Sequence, residues 1–186
     1  MSMENQVVTV KLETPFEYED KTYEEIVMDL GKLTGKDAMA IEEELAAVNH
    51  TVTYPLADGE YIRMVAARAS SIAEDVFTAM PIRHYVAILQ AVRMFLVRPK
   101  ANAEEVTLKL EELTGADYQA IEAELEAERY MVMMPSQDRK FLQKMAVRAG
   151  SINEKELKEM PLRDYNDLLN RVRNFLTKSA SGKSKA

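Results

Sequence analysis

The chain repeats itself at a spacing of 80 residues. When the sequence is slid along itself, residues 24–96 align with residues 104–176 without a gap, and about 30 of the roughly 73 aligned positions are identical. The matched stretches include "LTGKD" with "LTGAD", "MPIRHY" with "MPLRDY" and "VRMFL" with "VRNFL". A match of this length predicts an internal duplication, so the fold has to accommodate two copies of one unit.

Each copy has the sequence pattern of a small helical unit. Thr34 with Asp37, and Thr114 with Asp117, have the spacing of a helix N-cap followed by an acid three residues later. Apolar residues then recur at helical spacing, and Asp58 marks the start of a second helix. The repeated phrase is therefore interpreted first as a signal for the start of a helix.

Two further signals divide the rest of each copy. Ser71 with Glu74, and Ser151 with Glu154, predict capping boxes before a short third helix. The proline of each "MP" pair then suits the first position of a final helix, where no amide hydrogen is needed.

The N-terminal stretch "VVTVKLETPFEYEDKTYEEIVMDL" has a different period. Its apolar and polar residues alternate in two runs separated by turn-forming residues, which predicts a β-hairpin with strands near 6–12 and 21–29. The second copy keeps only the later run, "EEVTLKL". The expected fold class is therefore α+β and predominantly α-helical: two similar small helical domains, with an N-terminal β-hairpin on the first and one residual strand on the second.

The domain organisation follows from these patterns. Residues 1–98 are expected to form the first domain, 99–103 a linker, and 104–177 the second copy of the helical domain. Residues 178–186 are small, polar and basic, which predicts a disordered tail.

Composition narrows the chemistry that the chain can perform. It has no cysteine, so disulfides and thiol chemistry are excluded. A net charge of −7 opposes general binding to phosphate backbones, and no apolar run reaches the length of a membrane span. No signal peptide is evident at the N-terminus. We therefore expect a soluble protein that binds neither nucleic acid nor a membrane.

The usual catalytic groups are sparse and isolated. The two histidines, His50 and His84, align with Tyr130 and Asp164, and no partner for a triad or metal cluster accompanies them. "SGKS" at 181–184 lacks the upstream glycine of a phosphate-binding loop. Acidic pairs in the first helix of each copy suit a solvated face. The sequence therefore predicts no catalytic, metal or cofactor site, and no enzyme.

Candidate binding residues come from two features, each with an alternative. The arginines that recur after 80 positions either form ion pairs and cover apolar surface, or contact an acidic helix or a neighbouring copy. The stretch "YMVMMPSQD" at 130–138 either fills a core or adds a strand, or it forms an adaptable apolar surface. The candidate partner-binding residues are Tyr130, Met131, Val132, Met133, Met134, Tyr54, Arg68 and Arg148.

The order of the motifs resembles a known family. "LTGKD", then "IEEEL", "YIRMVAARASSI", "MPIRHY" and "VRMFL", is similar to the tail assembly chaperones of long-tailed bacteriophages and prophages. The resemblance covers residues 6–97 and, nearly as well, residues 104–176. Members have a short β-hairpin followed by "LTGxD", an "AA(K/R)A" helix, an "LPxxDF" element and a closing "VxxFL". The chain departs from this pattern in carrying the domain twice.

The resemblance implies a non-enzymatic function in the host bacterial cytoplasm. Such proteins bind the tape measure protein, keep it soluble until tail tube protein displaces them, and are absent from the mature virion. The residual strand of the second domain pairs either with the sheet of the first domain or with another chain, and its exposed edge leads us to expect a homo-oligomer. The alternatives are a structural tail component, tube-associated or a terminator, and a nucleic-acid-binding regulator, which the sequence pI of about 5.1 disfavours.

Overall fold

The computed structural model describes residues 6–97 and 106–178. These residues form eight α-helices and one antiparallel two-stranded sheet, so the α+β, predominantly helical fold class is confirmed. The elements in chain order are β1 (Val7–Tyr18), β2 (Lys21–Asp29), α1 (Gly35–Ala47), α2 (Gly59–Ser70), α3 (Glu74–Ala79), α4 (Ile82–Val97), α5 (Gly115–Ala127), α6 (Arg139–Ala149), α7 (Glu154–Glu159) and α8 (Leu162–Thr177). None of the helices in this part of the chain is both long and apolar enough to cross a membrane.

The hairpin forms where its alternating pattern predicts it. Strand β1 runs on to Tyr18, beyond the expected end, and its pairing with β2 is irregular between Lys11 and Phe16. On β2 the side chains of Ile26 and Met28 are buried, whereas Val27 between them is exposed. This alternation gives the sheet one face for the core of its unit.

The first helix of each sequence copy begins as predicted. The backbone N–H and the hydroxyl of Thr34 donate to the carboxylate of Asp37, at 2.8 and 3.0 Å. Thr114 and Asp117 repeat the arrangement at 2.9 Å for both bonds. Asp58 caps α2 by accepting from the N–H of the third helical residue at 3.0 Å.

The capping boxes predicted for the short third helices are wrong. Ser71 ends α2 in the left-handed region, at φ 58°, and Ala73 is the residue that precedes α3. Before α7 the box consists of Asn153 and Glu156, each donating its N–H to the side chain of the other. Ser71 thus belongs to the end of α2, and the residue that precedes the short helix lies two positions after the serine in both copies, at Ala73 and Asn153.

The described residues belong to two compact units. Of the described residues, the first unit comprises 6–97 with Lys158–Asn166, and the second 106–157 with 167–178. Helix α8 therefore begins in one unit and continues in the other. The predicted linker 99–103, and the predicted tail apart from its first residue, lie outside the described residues.

Each unit has its own buried core. Fully buried apolar residues of the first unit include Ile26, Met28, Ile41, Tyr61, Ile62, Val65 and Ile88. Those of the second unit are Ile121, Leu125, Phe141, Leu142, Leu169 and Val172. On the helices of both units, the buried residues recur at helical spacing, as the sequence pattern predicts.

The residual strand expected in the second unit is shorter than predicted. Within the described residues, it consists of a single antiparallel bridge between Leu108 and Gly150. One hydrogen bond, from the N–H of Lys109 to the carbonyl of Ala149 at 2.7 Å, accompanies it. A strand needs a partner of comparable length for its backbone groups, and the described part of this unit offers only the end of α6.

The first unit also holds the segment Met160–Tyr165, which we call the docked segment. The N–H of Gly35 donates to the carbonyl of Met160 at 2.7 Å, and the N–H of Leu162 donates to the carbonyl of Leu33 at 2.9 Å. These two bonds flank an antiparallel bridge between Thr34 and Pro161. The backbone of the helix-start motif is thus paired like a strand.

Side chains of the docked segment complete this attachment. Leu162 and Tyr165 are fully buried, and the hydroxyl of Tyr165 donates to Glu42 at 3.3 Å. The guanidinium of Arg163 lies 5.5 Å from the ring centroid of Phe95. The segment is therefore held by main-chain pairing, apolar burial and a cation–π contact together.

Candidate partner-binding surface

The loop between α5 and α6 carries most of the candidate residues, and both of its ends are fixed. We call residues 130–138 the methionine loop. Arg129 ends α5 in the left-handed region, at φ 58°, and the N–H of Tyr130 donates to the carbonyl of Leu125 at 2.9 Å. At the other end, Asp138 caps α6 by accepting from the N–H of Phe141 at 2.9 Å. The loop therefore starts and stops at two defined helix ends.

Bonds across the base of the methionine loop hold its shape. The hydroxyl of Tyr130 donates to Asp138 at 3.0 Å, and the ammonium of Lys140 lies 4.7 Å from the Tyr130 ring centroid. The N–H of Asp138 also donates to the carbonyl of Met134 at 3.0 Å. Of the candidate residues, Tyr130 therefore has a clear structural role, since its side chain closes the loop.

The three methionines of the loop lie on the surface of the chain. Met131 is 78% exposed, Met133 80% and Met134 54%, whereas Val132 between them is partly buried. Residues 131–134 form no strand. Of the interpretations left open by the sequence, the exposures favour an apolar surface over a filled core.

The matching loop of the first unit has the same backbone and a different surface. Asn49 is left-handed at φ 61°, and Nε2 of His50 lies 2.7 Å from the carboxylate of Asp58, where the second unit has its tyrosine–aspartate bond. Val52 is buried, and Tyr54 is 51% exposed. The second unit thus exposes several large apolar side chains on this loop, whereas the matching loop of the first unit exposes Tyr54.

Two of the repeated arginines tie these loops to helices. Nε of Arg173, a buried residue, donates to the carbonyl of Ser136 at 3.3 Å, and its Nη1 donates to Asn170 at 2.8 Å. In the first unit, Nε of Arg93 donates to the carbonyl of Leu56 at 2.9 Å. These contacts favour the structural interpretation for this arginine pair, because each holds a loop in place.

The candidate residues Arg68 and Arg148 form ion pairs between neighbouring helices. Arg68 pairs with Glu44 at 2.6 Å, and Arg148 pairs with Glu124 and, at 3.5 Å, with Asp117. The hydrogen bond from Arg148 holds the pKa of Glu124 below its ordinary value. Arg148 lies at the opposite end of α6 from the methionine loop, so the structure does not bring them together.

Neither histidine gains catalytic partners among the described residues. His50 pairs with Asp58 as above, and His84 is buried in α4. In residues 6–97 and 106–178, no group of three His, Cys, Asp or Glu side chains could hold a metal ion.

A cavity of about 340 Å³ in the second unit was not anticipated from the sequence. Leu113, Asp117, Arg148 and Gly150 are among the residues that line it. Two of these residues, Leu113 and Asp117, belong to the repeated "LTGAD", whose spacing predicts only the start of a helix.

No protein-family model, curated protein or solved structure matches the chain.

Proposed function

We propose that the chain is a non-enzymatic tail assembly chaperone of a long-tailed bacteriophage or prophage, acting in the host bacterial cytoplasm. It binds the tape measure protein, keeps that protein soluble and hands it over to tail tube protein. The observation that supports this proposal most directly is the set of three exposed methionines on an anchored loop. The resemblance of the ordered motifs to tail assembly chaperones supports the tape measure protein as the client.

The chemistry of the methionine loop suits such a client. A long helix with a bare apolar stripe aggregates in water, and a partner that covers the stripe prevents this. Methionine side chains are unbranched and polarisable, so they adapt to stripes of varied shape. The bond between Tyr130 and Asp138, and a hydrogen bond from Arg173, already hold the loop in one conformation. The loop therefore loses less conformational entropy when it binds.

The arrangement also favours reversible binding. Full burial of one methionine side chain contributes about 1.5–3 kcal/mol, and association has to offset lost translational and rotational freedom. A single loop therefore binds weakly. Tyr54 in the first unit adds a second, smaller apolar contact, and two linked contacts raise the effective concentration of the chain at a client with many similar sites.

The test is co-expression with the tape measure protein of the same phage or prophage locus, followed by pull-down from the soluble fraction. The variant carries Met131→Ser, Met133→Ser and Met134→Ser together. Its matched control carries three serine substitutions at exposed apolar positions away from the loop, in the first unit: Val48→Ser, Met94→Ser and Val97→Ser.

The expected outcome is that the tape measure protein is soluble and co-purifies with the wild type and with the control, but not with the methionine variant. Equal retention by the two variants would show that the methionine loop is not the contact. No retention by the wild type would contradict the chaperone function, and recovery of the chain from purified particles would favour a structural tail component instead.

A further inference from the structure

The docked segment and its aligned segment, Met80–Tyr85, differ in the solvent exposure of their central apolar residue. Leu162, in the docked segment, is 1% exposed, whereas Ile82, at the aligned position, is 71% exposed. The two helix-start motifs differ in the same way, since Gly35, which pairs with the docked segment, is buried and the aligned Gly115 is exposed. The described residues therefore contain an occupied site at Leu33–Gly35, an open site at Leu113–Gly115 and an open segment, Met80–Tyr85, that matches the docked segment.

The open site offers the same kinds of main-chain groups as those that hold the docked segment in the occupied site. Thr114 has φ −118° and ψ 172°, against φ −127° and ψ 178° for Thr34, so the flanking carbonyl and amide point in corresponding directions. Within the part of the chain that the structure describes, no hydrogen bond engages the N–H of Gly115 or the carbonyl of Leu113. These are the counterparts of the two groups that pair with the docked segment.

The surroundings of the open site match as well. Leu113 is partly exposed, whereas Leu33 in the occupied site is buried. Leu113 also borders the cavity of about 340 Å³ described above. Glu122 is the aligned counterpart of Glu42, which accepts from the tyrosine of the docked segment, and it is exposed.

The open segment, Met80–Tyr85, matches the docked one at four of its six positions, which hold methionine, proline, arginine and tyrosine. Ile82 replaces Leu162 with a side chain of similar size, and His84 stands where the docked segment has Asp164. Met80 and His84 are buried in the first unit, so the exposed part of the segment is residues 81–83. The side chain of Arg83 is 84% exposed and lies 3.8 Å from the carboxylate of Glu13, whereas its counterpart Arg163 covers an aromatic ring. The open segment thus presents an apolar side chain and a cation to solvent.

We infer that a second copy of the chain docks its Met80–Tyr85 segment on the open site at Leu113–Gly115, using the backbone pairing that holds Met160–Tyr165 at Leu33–Gly35. The contact joins two different surfaces, so each molecule can give one segment and receive another. Association of this kind gives a closed dimer in which two molecules exchange segments, a closed ring of several molecules, or an open filament. It does not require the proposed client.

Cysteine trapping tests which surfaces meet, since the chain has no cysteine of its own. Thr34 and Pro161 form a bridge flanked by hydrogen bonds, a pair type with Cα atoms about 4.5 Å apart, within the range of a disulfide. A Pro81→Cys chain is mixed with a differently tagged Thr114→Cys chain under mild oxidation. The matched control mixes Pro81→Cys with Thr34→Cys, whose site is already occupied.

The expected result is a mixed disulfide dimer on non-reducing gels for Thr114→Cys and much less for Thr34→Cys. A single chain carrying both Thr34→Cys and Pro161→Cys serves as positive control, because that pair is in contact within the first unit. Equal trapping of Pro81→Cys by the two threonine variants would overturn the proposal.

Sedimentation over a concentration series supplies an independent test. Gly115→Pro removes the amide donor at the first helical position, where proline is well tolerated, and Thr114 is already extended as a residue before proline should be. An added Cβ at Gly115 meets nothing within 4 Å, so Gly115→Ala is the matched control that keeps the donor.

We expect wild type and Gly115→Ala to associate at similar concentrations, and Gly115→Pro to need a concentration about tenfold higher or more, because proline lacks the amide donor and its ring crowds the segment. Identical association of the two variants, or a wild type that stays monomeric up to about 1 mM, would refute the inferred contact.

Discussion

The contrast between Leu162 and Ile82 gives a sharp prediction about stability. Truncating each to alanine removes three carbon atoms from the same position of the repeated motif, once in the docked segment and once in the open one. Leu162 is 1% exposed and Ile82 71% exposed, so the two truncations differ mainly in how much contact they delete.

The magnitudes follow from these exposures. Removing three buried carbon groups loses about 2.4 kcal/mol of transfer free energy, and the cavity left behind brings the expected cost of Leu162→Ala to about 2.5–5 kcal/mol. At Ile82 less than a third of the residue is buried, so Ile82→Ala should cost about 0.7 kcal/mol or less.

The assay is urea unfolding followed by far-UV circular dichroism at low micromolar concentration, where self-association contributes least. Because the chain divides into two units, the curves are fitted with allowance for two transitions. We expect Leu162→Ala to lower the free energy of unfolding of the first unit by several times more than Ile82→Ala. Equal losses would refute the assignment of Lys158–Asn166 to the first unit.

Two further predictions concern charge. Hydrogen bonds from Thr114 lower the pKa of Asp117 in the folded chain. The stability that this carboxylate contributes is therefore present above its unfolded-state pKa of about 3.9 and is lost as the pH falls through the lower folded-state value. Asp117→Asn should flatten the decline of the urea midpoint below about pH 4, and an unchanged decline would contradict this. Arg173→Met should free the methionine loop at Ser136 and cost about 1–3 kcal/mol of unfolding free energy, while also weakening client capture although every methionine remains, as measured by urea unfolding and by the pull-down.

Local chemistry explains which parts of this fold are predictable from the sequence. Thr34 with Asp37, and Asp58 before α2, act within one turn of chain, so their spacing alone predicts the helix starts. The alternation that buries Ile26 and Met28 is local in the same sense.

The features that escaped prediction depend on distant parts of the chain or on competing local motifs. Ser71 has the spacing of a cap, but the same serine ends α2 in the left-handed region, and the sequence does not state which motif prevails. Whether Met131 faces a core or the solvent depends on which elements pack over the loop. The pairing of Leu33 with Leu162 joins residues far apart in sequence, and the periodicity of the sequence does not predict it.

The composition of the first unit has a consequence for protein synthesis. Its last contribution, Lys158–Asn166, comes after residues 104–157 of the second unit, whereas a nascent chain folds from its N-terminal end as residues emerge. During synthesis Leu33 and Gly35 therefore stay uncovered until the docked segment has emerged. A chain released before that point exposes the site, so the first unit depends for its completion on a segment that is made after most of the second unit.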